Sequence, residues 1–147
     1  MSYKASAREI HFHFQQKGLA LKNRQRLKTF IFSIFRKETT PISSLQYVFC
    51  SDNYLLEINQ QYLQHDYYTD IITFNLAAKK APVEGEIYIS LERVKDNALI
   101  LDQYIYLELH RVIFHGVLHL CGYKDKTSRD ILLMREKEDF YLDQYFK

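Results

Sequence analysis

His115 and His119 are the residues of this chain best placed to do chemistry. They stand four apart in the stretch His115-Gly116-Val117-Leu118-His119-Leu120-Cys121-Gly122-Tyr123-Lys124-Asp125. On an α-helix that spacing stacks both imidazoles on one face, one turn apart, where they can share a metal ion. Gly122 follows the last apolar residue, where a left-handed helix cap is expected. The chain then turns, and Asp125 arrives three residues later, able to swing back as a third ligand. Two histidines and one carboxylate leave the fourth tetrahedral position open. Catalytic zinc sites have that arrangement, whereas structural ones are closed. A histidine pair at this spacing also arises by chance, so the glycine and the returning aspartate carry part of the argument. The zinc-peptidase signature H-E-x-x-H is not met, because Gly116 stands where its glutamate belongs.

These residues need a rigid helix under them. The apolar positions Ile105, Leu109, Val112, Ile113, Gly116 and Leu120 recur at helical spacing and predict a central helix from about Tyr104 to Cys121. Glu108 lies two turns before His115 on the same edge. It is either a proton acceptor or supporting carboxylate at the site, or an exposed helix residue. His110 and Cys121 fall on other faces and are not counted as ligands.

The rest of the chain supplies the frame. Ile10, Phe12 and Phe14 alternate with His11 and His13, as in a half-buried strand with both histidines outward. Asn23 is read as the N-cap of an amphipathic helix through Leu27, Phe30, Ile31, Ile34 and Phe35. Further strands are expected at Leu45–Cys50, Ile71–Phe74 (buried on both faces) and Glu86–Ser90. Further helices are expected from Ser51 or Asp52 to Leu63, from Leu91 to Leu101, and after Thr127 or Ser128. The last of these carries Ile131, Leu132, Arg135, Glu138 and Leu142. The expected fold is α+β: one domain over residues 1–147, a mixed four-stranded sheet with about five helices, and a metal cleft on the central helix.

Composition narrows the function classes. At 147 residues the chain fits one domain with a real core. Apolar residues make up 47% and charged residues 26%, an ordinary soluble balance. No run approaches 18 apolar residues, and no signal peptide is visible, so no membrane is expected. Cys50 and Cys121 are read as free thiols in a cytoplasmic protein. Charge is uneven. Residues 1–40 hold nine Lys/Arg against two Asp/Glu, and Lys22, Arg24, Arg26 and Lys28 crowd the start of a helix, where cations oppose its dipole. Those four are candidate RNA phosphate contacts, or else solvated helix charges.

On these residues the chain resembles the YbeY family of bacterial metal-dependent endoribonucleases. The family signature H-G-x-L-H-L-x-G-Y-D-H meets H-G-V-L-H-L-C-G-Y-K-D here, from His115 to Asp125. The block N-x-x-Y-R, D-x-P-T-D-V-L-S-F resembles Asn59 to Phe74, and G-D-I-x-I-S resembles Gly85 to Ser90. Departures are specific. The family's third metal-binding histidine falls on Asp125 and the aspartate before it on Lys124. The arginine associated with substrate falls on Leu63, and the proline on Tyr68. Lys124 or the amino-terminal cluster is a candidate source of the missing positive charge.

The resemblance implies a single-strand-specific endoribonuclease of ribosomal RNA maturation, acting at the 3′ end of the small-subunit RNA and in ribosome quality control. Single-stranded RNA, rRNA and the small ribosomal subunit are the implied partners. The chain is read as a monomer or weak oligomer. His115, His119 and Asp125 would hold one divalent ion, Zn²⁺ or else Ni²⁺ or another transition metal, with Glu108 the candidate general base. The rival reading is a non-catalytic, metal-stabilised RNA-binding factor of ribosome assembly.

Overall fold

The computed structural model describes residues 7–147. Among them, four strands form one sheet: β1 (Ile10–Phe14), β2 (Ile42–Cys50), β3 (Ile71–Asn75) and β4 (Val83–Ser90), in the order β1-β2-β4-β3. β1 and β4 run parallel to β2, and β3 runs antiparallel to β4. Five α-helices accompany them: α1 (Arg24–Lys37), α2 (Asp52–Leu63), α3 (Leu91–Ile100), α4 (Ile105–Leu120) and α5 (Ser128–Tyr145). The α+β class and the mixed four-stranded sheet agree with the expectation from sequence. Among the described residues, no helix is long and apolar enough to cross a membrane.

Local signals account for several helix starts. Ser51, Ser90 and Thr127 each accept a hydrogen bond from the backbone N–H three residues on, at 3.0–3.1 Å, and so start α2, α3 and α5. Asn23 behaves differently from expectation. Its side chain makes no cap bond, and its backbone is left-handed (φ 53°), so it turns the chain into α1 through conformation, which Asn tolerates.

α4 is the central packing element. Leu109, Val112, Ile113 and Val117 are buried in the main core with Leu45, Tyr47 and Ile87 of the sheet and Ile31 of α1. Gly116 lets this helix lie close on the sheet. A β-carbon there would come within 2.8 Å of Ile87 and 3.0 Å of Ile71, closer than packed carbons approach. The buried Tyr47 hydroxyl donates to the Ile113 carbonyl at 3.0 Å, pinning β2 to α4.

The small remaining cluster lies under α2, where Leu55 and Ile58 cover Ile72 and Cys50. β3 is an edge strand. Ile72 is buried, Ile71, Thr73 and Phe74 are half-buried, and Asn75 is exposed. The apolar, β-branched run predicts a strand buried on both faces, and this one is not. It pairs with β4 alone, and its open side borders a cleft.

Candidate metal centre

α4 ends in a motif legible in its sequence. Gly122 takes a left-handed backbone (φ 101°), its N–H donates to the His119 carbonyl, and the Tyr123 N–H donates to the Leu118 carbonyl, both at 3.0 Å. This is the Schellman pattern. It reverses the chain within one turn and returns Asp125 to the histidine face.

His115 Nε2 lies 3.3 Å and His119 Nε2 3.1 Å from the same Asp125 Oδ2. One ligand atom from each of the three residues falls within 4.8 Å of the others. Ligand atoms ~2.0–2.1 Å from a tetrahedral zinc ion stand about 3.3 Å apart, so this donor set fits such an ion.

The opposite ring nitrogens are occupied. His115 Nδ1 bonds Glu138 Oε2 at 2.6 Å, and His119 Nδ1 bonds the Tyr123 carbonyl at 2.9 Å. A carbonyl only accepts, so His119 carries a proton on Nδ1, which leaves Nε2 as the nitrogen free to face an ion. Carboxylate or carbonyl partners of this kind orient metal-binding histidines.

Glu138 is itself held. Its side chain is 7% exposed and receives Arg111 Nη1 at 3.0 Å, while Arg111 Nη2 reaches Asp139 at 2.8 Å. Burial opposes a charged His115, but the Glu138 hydrogen bond and the charges of Glu138, Asp125 and Asp70 outweigh it and raise the His115 pKa. The field at this ring favours a cation.

Tyr123 links the site to the amino-terminal part of the chain. Its hydroxyl donates to Glu38 at 2.6 Å, and Tyr141 and Lys137 donate to the same carboxylate. Burial pushes the Glu38 pKa up, yet these donors outweigh it and hold the group below the usual value. The residue whose carbonyl orients His119 is thus anchored to α5 and to the end of α1.

The triad opens into a cleft of about 960 Å³. β3, α4, α5 and the loop from α2 to β3 line it. Glu108 is in this lining and only 6% exposed, so it is not the exposed helix residue of the alternative reading. Burial raises its pKa, Arg111 opposes the shift and Asp70 adds to it. Asp70 also lines the cleft, accepts from Asn97 at 3.2 Å, and has its pKa raised by burial.

Leu63, the position matched to the family arginine, lines the cleft as well. The cations that line it are Arg111, Lys126 and Arg135. Lys124 is exposed and not in the lining. Nor are Lys22, Arg24, Arg26 and Lys28, whose charged groups rest over the rings of Tyr106, Phe14, Tyr145 and Phe12.

Sequence reasoning missed Glu138, Arg111, Asp70, Arg135 and Lys126 as cleft residues. One signal pointed to Glu138. It shares a helix stripe with the buried Met134, Tyr141 and Leu142, where an acidic residue needs a partner.

The family model described as Endoribonuclease YbeY matches residues 9–146. A protein named Endoribonuclease YbeY from Cytophaga hutchinsonii is 48% identical over 130 residues, covering 88% of this chain and 91% of that protein. Its namesake from Flavobacterium psychrophilum is 51% identical over 109 residues, covering 74% and 77%. A Thermotoga maritima protein solved in solution superposes with a TM-score of 0.61 at 27% identity, covering 92% of this chain and 89% of that one. The chain belongs to the YbeY endoribonuclease family.

Proposed function

We propose that this protein is a metal-dependent endoribonuclease that cuts single-stranded RNA in rRNA maturation, at the 3′ end of the small-subunit RNA, and serves ribosome quality control. The reading rests on family membership. The observation that carries the chemistry is the convergence of one donor atom each from His115, His119 and Asp125 within 4.8 Å at the wall of an open cleft. The two-nitrogen, one-carboxylate donor set favours zinc, with nickel or another transition metal as the substitute. A bound divalent ion would polarise a phosphoryl oxygen and ease ionisation of the attacking oxygen.

The chain's own residues do the rest. Glu138 and the Tyr123 carbonyl hold the two imidazoles in register. Glu108, buried in the cleft wall with a raised pKa, is the group suited to accept a proton from the attacking oxygen. Arg135 is half exposed, lies 3.8 Å from Glu138 and can turn to a phosphate; Lys126 is exposed at the rim. Together they substitute for the cation absent at Leu63. Lys124 and the cluster Lys22, Arg24, Arg26 and Lys28 are proposed as outer contacts for longer RNA, including the ribosomal small subunit. The compartment proposed is the cytoplasm, where the free thiols Cys50 and Cys121 persist.

The test is cleavage of a single-stranded oligoribonucleotide by purified protein. Cleavage should stop with a chelator, return with zinc, and spare the same sequence in a duplex. RNA binding without cleavage by the metal-loaded protein would instead establish the non-catalytic assembly factor.

A further inference from the structure

The loop between α2 and β3 carries aromatic rings that no core covers. Tyr67 is 56% exposed, and His65 is exposed beside it. Their rings are nearly parallel, with centroids 5.1 Å apart and planes 21° from each other. The Tyr67 hydroxyl meets His65 Nδ1 at 3.0 Å. Both residues line the cleft that holds the metal triad.

The loop is held by its backbone. Asn59, 1% exposed, donates its side-chain amide to the Tyr67 carbonyl at 2.9 Å. The carbonyl of Asn59 receives the His65 N–H at 3.1 Å. Gln64 between them is left-handed (φ 55°), and Gln60 donates to Asp66 at 2.6 Å. Exposed aromatic rings in water are unfavourable, and the hydrogen bond between these two holds their planes nearly parallel. The bracing preorganises a flat apolar surface at the mouth of a cleft.

We propose that His65 and Tyr67 form a stacking platform for one unpaired nucleobase of the RNA strand entering the cleft. This rests on the endoribonuclease reading and supplies its strand selectivity. Every base has a π-face, so stacking is tolerant of sequence, but bases within a duplex are already stacked on their neighbours and cannot reach the platform. The metal triad needs only a phosphodiester, which both strand forms offer. The platform is what a duplex fails to satisfy.

Binding of an end-labelled single-stranded oligonucleotide with 2′-O-methyl riboses, which slow cleavage, tests this by anisotropy. Tyr67→Ala should bind about 5- to 150-fold more weakly, the range for one lost stacked base, whereas Tyr67→Phe should stay within about twofold of wild type. Bound metal and thermal stability should match wild type in both variants. An abasic nucleotide placed at successive positions should weaken wild-type binding at one of them and leave Tyr67→Ala almost indifferent there. Wild-type affinity in Tyr67→Ala, or an abasic penalty equal in both proteins, overturns the platform while the endoribonuclease reading stands. If the wild-type protein neither binds nor cleaves single-stranded RNA, that reading has failed and the platform falls with it.

Discussion

α4 carries three histidines in two unlike settings. His110 is 5% exposed and sits among the rings of Phe114, Tyr145 and Phe146, with Nδ1 on the Tyr106 carbonyl at 2.6 Å. Burial holds its pKa below the usual value, the Tyr106 bond opposes that shift and Arg26 adds to it. His115 lies on the other side with carboxylates around it, and its pKa is raised. The same side chain on one helix is a core residue held toward its neutral form in the first case, and in the second a ring whose surroundings favour positive charge. Residue type does not separate them. The charge and polarity that α5 and the following loop bring to each face do.

Removing a ring from the acidic face should have the largest effect. His115→Ala or His119→Ala should bind zinc at least about 100-fold more weakly and lose nuclease activity, since each deletes one of three ligands. Stoichiometric metal at wild-type affinity, measured by competition with a chelator, would place the site elsewhere. Asp125→Ala should also bind weakly, whereas Asp125→His should still bind, because imidazole is an acceptable ligand.

A smaller effect is expected behind the ligands. Glu138→Gln keeps an acceptor for His115 Nδ1 but removes the charge that supports it, and should cost about 10-fold in metal affinity. Unchanged affinity would mean that hydrogen-bond geometry alone orients the ring.

Glu38→Ala reaches His119 only through Tyr123. It strands the Tyr123 and Tyr141 hydroxyls, so a loss of about 1–3 kcal/mol in urea unfolding is expected. A few-fold weakening of metal binding should accompany it if anchoring Tyr123 matters to His119.

On the apolar face, His110→Phe should leave metal binding unchanged and alter only the pH dependence of stability. The folded pKa of His110 is depressed, so below about pH 6.5 the unfolded chain takes up a proton that the folded chain refuses. Wild-type stability should therefore fall with acidification through that window, by at most about 1.4 kcal/mol per pH unit from this group. The difference between variant and wild type in urea unfolding isolates it. A difference that does not vary with pH would show that His110 is not held neutral.

The smallest effect concerns the cations that rest on rings. Neutralising Lys22 and Arg24 should flatten the salt dependence of single-stranded RNA binding, by about 0.7 in log–log slope for each phosphate these side chains neutralise in the wild type. An unchanged slope would make them solvated helix charges, in contrast to Lys126 and Arg135.

Much of the frame was written locally. The capping hydroxyls of Ser51, Ser90 and Thr127 act on N–H groups three residues away, so the starts of α2, α3 and α5 could be read from short windows. The candidate triad was legible for the same reason. His115 and His119 are one helical turn apart, and Gly122 supplies the reversal that returns Asp125, all within eleven residues. The rest of the site depends on partners far along the chain. Glu138 is 23 residues from His115, and Glu38 is 85 from Tyr123. No local periodicity reports such a pairing, because it exists only once α1, α4 and α5 have packed. Tertiary structure likewise made β3 an edge, drew Asp70 and the aromatic loop to the cleft, and put Arg111, Lys126 and Arg135, not the denser amino-terminal cluster, in its wall. Charge density along a sequence measures proximity in the chain, whereas a binding cleft selects by proximity in space.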